Sequence, residues 1–147
     1  MRKILSLLVA VVATFAIAGV AFAAPTGSPH FVGTPSISQD GNALVISFKA
    51  AGLGSQQSAD FGLTGSVSVD SQCWTKSMNK PAADNKHEDL SVSEFGSFPV
   101  RNGSVTGSFT VSPLSTLTCP RGQVLIVSVA DYDLTLTGPN GISYTFP

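Results

Sequence analysis

The sequence predicts an all-β protein: a single antiparallel β-sandwich of about seven or eight strands, immunoglobulin-like in architecture and held by one disulfide. Three observations carry this. Apolar residues recur with a period of two, with Ser and Thr between them. Asp-Gly and Asn-Gly turns separate those runs. Two cysteines, Cys73 and Cys119, form an even pair in a chain that begins with an export signal.

The chain of 147 residues opens on "MRKILSLLVAVVATFAIAGVAFAAPTG". Arg2 and Lys3 precede an apolar run, and Ala21-Phe22-Ala23 is a small-x-small cleavage pattern with no basic stop-transfer cluster after it. Residues 1–23 therefore read as a signal peptide and 24–147 as the single domain, starting at Ala24 or Pro25. With Arg2 and Lys3 removed, 6 basic and 9 acidic residues remain. A weakly acidic chain without a basic cluster excludes nucleic acid as a partner. Nothing after residue 23 is apolar enough to span a bilayer, so secretion, or association with the cell envelope, is the expected destination.

The strands follow in order. His30 and Phe31 lie in the first strand region. "ALVISFKA" places Leu44, Ile46 and Phe48 on one face. "FGLTGSVSVDSQC" does the same for Phe61, Leu63, Val67 and Val69, and "SVTGSFTV" for Val105, Phe109 and Val111. "QVLIVSVA" is apolar throughout and reads as a central strand. "DYDLTLT" alternates again, but inward parity shifts between Val129 and Tyr132, which predicts a bulge or bend near Ala130 and Asp131. "ISYTF" closes the chain with Ile142, Tyr144 and Phe146 in phase. Turns are expected at "QDGN" (39–42), "RNGS" (101–104) and "GPNG" (138–141), because Gly and Asn accept positive φ. Asn102-Gly103-Ser104 also matches a glycosylation sequon, though the turn reading suffices.

In an oxidising compartment Cys73 and Cys119 pair most simply with each other. Cys73 keeps the inward parity of Val67 and Val69, and Cys119 that of Leu117, so both thiols are expected to face the core from different strands. Trp74 follows Cys73 directly. It should therefore point outward, unlike the core Trp of a true immunoglobulin domain, which lies further along the chain.

The ordered motifs "HFVG", "SFKAAGLG", "QCWTKSMNKPAADNK", "FGSFPVRNGSVTGSFTV" and "TCPRGQ" cover nearly the whole domain. In these the chain resembles a group of small exported bacterial proteins. That group shares a Gly-Leu-Gly turn, a Cys followed by a loop with Pro and Asn-Lys, a "FPV-x-NG" hairpin and a second Cys before Pro. The resemblance implies export and a β fold, and no particular activity.

The richest stretch is "CWTKSMNKPAADNKHED", residues 73–89. It reads as a loop too long for a simple hairpin connection, anchored at its base by the disulfide. An outward Trp74 with Lys76, Lys80, Asn85 and Lys86 around it would suit a sugar ring or a protein partner. The competing reading is that Trp74 covers a gap at the sandwich end and the lysines are solvated. Asp131 and Asp133 leave one strand face together, and Asp84, Asn85, Glu88 and Asp89 make a second acidic patch. These are weak calcium candidates without a spaced ligand loop. No nucleophile elbow, zinc motif or phosphate loop is present. His30 and His87, beside abundant Ser and Asp, leave a hydrolase with a dispersed site as the alternative. A calcium-assisted carbohydrate-binding module is another. The expected protein is a monomeric, non-catalytic binding or structural module without a cofactor, acting on an extracellular or envelope partner, carbohydrate or protein.

Overall fold

A computed structural model describes residues 27–77 and 81–147. The expected signal peptide, the expected mature start and Lys80 lie outside the described residues. Eight strands follow in order: β1 His30–Phe31, β2 Ser36–Asp40, β3 Ala43–Ala51, β4 Ser58–Thr75, β5 Pro81–Pro99, β6 Val105–Val111, β7 Gln123–Thr137 and β8 Ser143–Thr145. All pairings are antiparallel, and they build two sheets.

In the first sheet β3 pairs with β6 along one edge, and with β2 and then β1 along the other. The second sheet has the order β5-β4-β7-β8. The inner faces meet in one core, because the alternating residues point there. Leu44, Ile46 and Phe48 of β3 and Phe109 of β6 meet Phe61, Leu63, Val67 and Val69 of β4 and Leu134 and Leu136 of β7. Phe48 and Phe61, from opposite sheets, have ring centroids 4.6 Å apart; Phe98 meets both edge-on, and Phe109 stacks on Phe48. Two antiparallel sheets that share one core make a sandwich.

The turns form where Gly and Asn allow them. Asp40 pairs with Ala43 across a two-residue turn with Gly41 at φ 57°. Arg101 pairs with Ser104 around Asn102 (φ 50°) and Gly103 (φ 70°), as a type I′ turn requires. A short 3₁₀ turn, Pro139–Gly141, joins β7 to β8. The bulge is where the parity change places it: Ser68 faces Asp131 while Val69 faces Val129, so Ala130 is the extra residue.

Three expectations are corrected. First, residues 73–89 are mostly not a loop. The turn takes Lys76 and Ser77, and β5 resumes at Pro81, so the hydrogen-bonded hairpin reaches the Trp74–Pro81 pair. Proline is tolerated there as the first strand residue. The charged composition looked loop-like, but its residues pair across the ladder, His87 against Asp70 and Asp89 against Ser68. Second, Cys119 does not sit in a strand. The irregular segment 112–122 carries it, and Cys73 of β4 anchors that segment at a Cα–Cα distance of 5.5 Å. Third, β7 is central only in part. Strand β8 covers Thr135–Thr137 alone, so β4 is the only strand pairing with Gln123–Asp133 among the described residues. A side chain takes over part of the missing strand: the Gln39 amide donates to the Val127 carbonyl (2.5 Å) and accepts from the Val129 N–H (3.3 Å).

Candidate functional site

Register converts outward parity into a surface. On β4 the outward residues are Thr64, Ser66, Ser68, Asp70, Gln72 and Trp74. Their neighbours across β5 and β7 are, rung by rung, Ser93 and Thr135, Ser91 and Asp133, Asp89 and Asp131, His87 and Ser128, Asn85 and Ile126, Pro81 and Val124. The last three rungs, at the disulfide end, line a cleft of about 510 Å³ that includes Asp70, Gln72, Trp74, Asn85, His87, Ile126 and Ser128.

Trp74 points outward as parity requires, yet it is half-buried, because it lies between neighbouring strands. Its indole N–H donates to Oε1 of Gln72 at 3.0 Å, which fixes both side chains on one face. The disulfide at Cys73, buried on the opposite face, ties down the backbone that displays the indole. The Asp70 carboxylate accepts from His87 Nδ1 at 2.8 Å, and Nε2 of the same ring lies 3.7 Å from Asp89. The hydrogen bond to Asp70, and then the negative charges of Asp70 and Asp89, raise the His87 pKa above its ordinary 6.5, with partial desolvation opposing them. Both ring nitrogens thus face carboxylates. A Ser–His–Asp relay needs one of them to face a hydroxyl.

The sequence-predicted residues divide. Trp74 and Asn85 come together in the cleft. Lys86 borders it, but its ammonium turns to the other face of the sheet, donating to Thr116 Oγ1 at 2.6 Å and pairing with Glu88 at 3.0 Å. There it belongs to a polar layer that closes the end of the sandwich. Glu88 accepts from Ser115 Oγ (2.7 Å), from the Thr116 N–H (2.9 Å) and from Thr116 Oγ1 (2.5 Å). Those bonds, led by the two hydroxyls, hold its pKa down to about 2. Lys76 sits in the exposed turn beyond the cleft. Asp131 and Asp133 lie on adjacent rungs, beside Ser68 and Ser66, and Asp131 accepts from the N–H of Tyr132 at 2.8 Å. Among the described residues no three His, Cys, Asp or Glu side chains converge as metal ligands.

Sequence reasoning missed Asp70, Gln72, His87, Ile126 and Ser128 as partners of Trp74. Asp70 and Gln72 share its parity on β4, so that part of the signal was present. The other three come from β5 and β7, where only register brings them in.

Among the described residues no helix is long and apolar enough to cross a membrane. Comparison with protein-family models, with curated proteins and with solved structures finds no match to this chain.

Proposed function

We propose that this is an exported, non-catalytic binding module whose ligand is a glycan, held in the cleft at Trp74. The observation that carries the reading is the set of planar groups gathered there. An indole, two amides (Gln72 and Asn85), a carboxylate (Asp70) and an imidazole line one cleft of about 510 Å³. An aromatic face packs on the C–H face of a sugar ring, while planar amides and carboxylates exchange hydrogen bonds with its hydroxyls. The volume is in the range of small-ligand sites. The anchoring of Trp74 by Gln72 and by the neighbouring disulfide keeps the ordering cost of binding low. The resemblance to small exported bacterial proteins and the signal-like start agree with an extracellular or envelope location.

Trp74 is the chain's single tryptophan, so its fluorescence reports this cleft alone. Titration with soluble envelope and extracellular oligosaccharides should give a saturable change, weakened by Asn85→Ala and Gln72→Ala in variants that melt like the parent. A flat response across neutral, amino and acidic oligosaccharides at millimolar concentration would overturn the proposal.

A further inference from the structure

The far end of the same outward face holds a second aromatic. Phe95 of β5 pairs with Gly62 of β4, twelve residues before Trp74, and Gly62 in turn pairs with Thr137 of β7. Phe95 is 75% exposed, the most exposed large apolar side chain among the described residues. It joins none of the ring pairs of the core. Its ring lies on the bare backbone of Gly62: a Cβ there would stand 2.8 Å from Phe95 Cε1 and 3.0 Å from Cδ1. The missing side chain thus seats the ring on the sheet and leaves the rest of it open to solvent. Around it is a second cleft, of about 490 Å³, whose polar lining comes from Asp60, Ser97 and Thr137. All three lie at outward positions, and Asp60 pairs with Ser97 one rung beyond Phe95.

We infer that this cleft is a second sugar subsite, taking an uncharged pyranose unit stacked on Phe95. The inference rests on the reading of the outward face as a glycan surface. Phe95 supplies the apolar platform, and Asp60, Ser97 and Thr137 supply acceptors and donors for ring hydroxyls. Charge selects the class of sugar. Among the described residues none of the paired outward positions of β4, β5 and β7 carries Lys or Arg, while Asp60, Asp70, Asp89, Asp131 and Asp133 all lie there. His87 is the one group here that can turn cationic, and its ring already faces Asp70 and Asp89 at the other end of the face, so an anionic sugar at Phe95 meets carboxylates without a counter-charge beside it. Two weak subsites on one face favour a polymer over a monosaccharide, since the second contact becomes intramolecular.

The test is NMR titration of the exported protein with a neutral β-1,4-linked gluco-oligosaccharide, an N-acetylated chito-oligosaccharide and, as the anionic arm, an oligogalacturonate. The neutral probes should shift the amides of Asp60, Gly62, Gly96 and Ser97. Phe95→Ala should weaken that response roughly tenfold or more, and Phe95→Tyr should restore it. Gly62→Ala, which displaces the ring without removing it, should weaken it as well, and all variants are compared only where their melting matches the parent. The Phe95-end shifts should persist in Trp74→Ala. A response confined to the Trp74 cleft overturns the second subsite and leaves the first reading standing. A response at the Phe95 end alone supports this subsite and removes the first reading. Silence at both ends, tighter binding of the oligogalacturonate, or unchanged binding by Phe95→Ala overturns the inference.

Discussion

His87 and Asp70 stand opposite each other on β5 and β4, with the imidazole Nδ1 2.8 Å from the Asp70 carboxylate in the lining of the cleft. This pair makes the charge of the cleft depend on pH. The folded-state pKa of His87 is raised, so the protonated ring is favoured by folding. Its contribution to stability is complete below the ordinary value of 6.5 and fades as pH rises through the raised value. Following the imidazole signals by NMR should show a titration above 6.5 in the parent, moving down in Asp70→Asn. A midpoint unmoved by that substitution would remove Asp70 as the cause.

Glu88 predicts the opposite pH behaviour at the other face of the sheet. Its pKa falls from 4.5 to about 2 because Thr116 and Ser115 donate to the ionised form. The stabilisation it supplies is present above 4.5 and lost as pH falls towards 2. Glu88→Ala should lower the melting midpoint at neutral pH, and the gap from the parent should close across that window. Thermal melts between neutral pH and strong acid read this directly.

The Cys73–Cys119 bridge closes a loop with a sequence separation of 46. The chain-entropy model puts its contribution at about 4 kcal/mol as an upper figure. Native protein should resist alkylation, and reduction should lower the thermal midpoint by at least about 8 °C. A smaller shift would mean that Glu88 and Asn42, which also hold the 112–122 segment, maintain the fold end without the bridge.

Gly107 of β6 faces the ring cluster. An added Cβ would lie 2.7 Å from Phe48 Cζ and 2.8 Å from two carbons of Phe98. Gly107→Ala should therefore destabilise by about 1–3 kcal/mol through overpacking, measured by denaturant unfolding with an unchanged m-value.

Gln39→Ala should unlatch the exposed edge of β7. The parent side chain bonds the Val127 carbonyl and the Val129 N–H. Hydrogen exchange at the Val129 amide should accelerate in the variant, while amides of Val67 and Leu63 in the interior strand β4 keep their protection.

Much of the fold was legible because strand parity is a local property. Leu44, Ile46, Phe61, Leu63, Val67 and Val69 declare an inward face by spacing alone, and all are buried. The break in phase between Val129 and Tyr132 placed the irregularity near Ala130 and Asp131, and the register singles out Ala130. The Asn102-Gly103 turn and the cysteine pair needed only the conformational freedom of those residues and the parity of the count. What the chain could not disclose was which strand lies beside which, and how far each ladder runs. The polar run Asn85–Asp89 looked like a loop because its charges are satisfied by Asp70, Ser68, Ser115 and Thr116, distant in sequence. Lys86 was placed beside Trp74 but turns its charge to the other face of the sheet, onto Glu88 two residues along β5 and Thr116 of the 112–122 segment. Outward parity at Trp74 was a matter of sequence; its company of Asn85, His87, Ile126 and Ser128 was decided by register, a non-local quantity that only the assembled sheet determines.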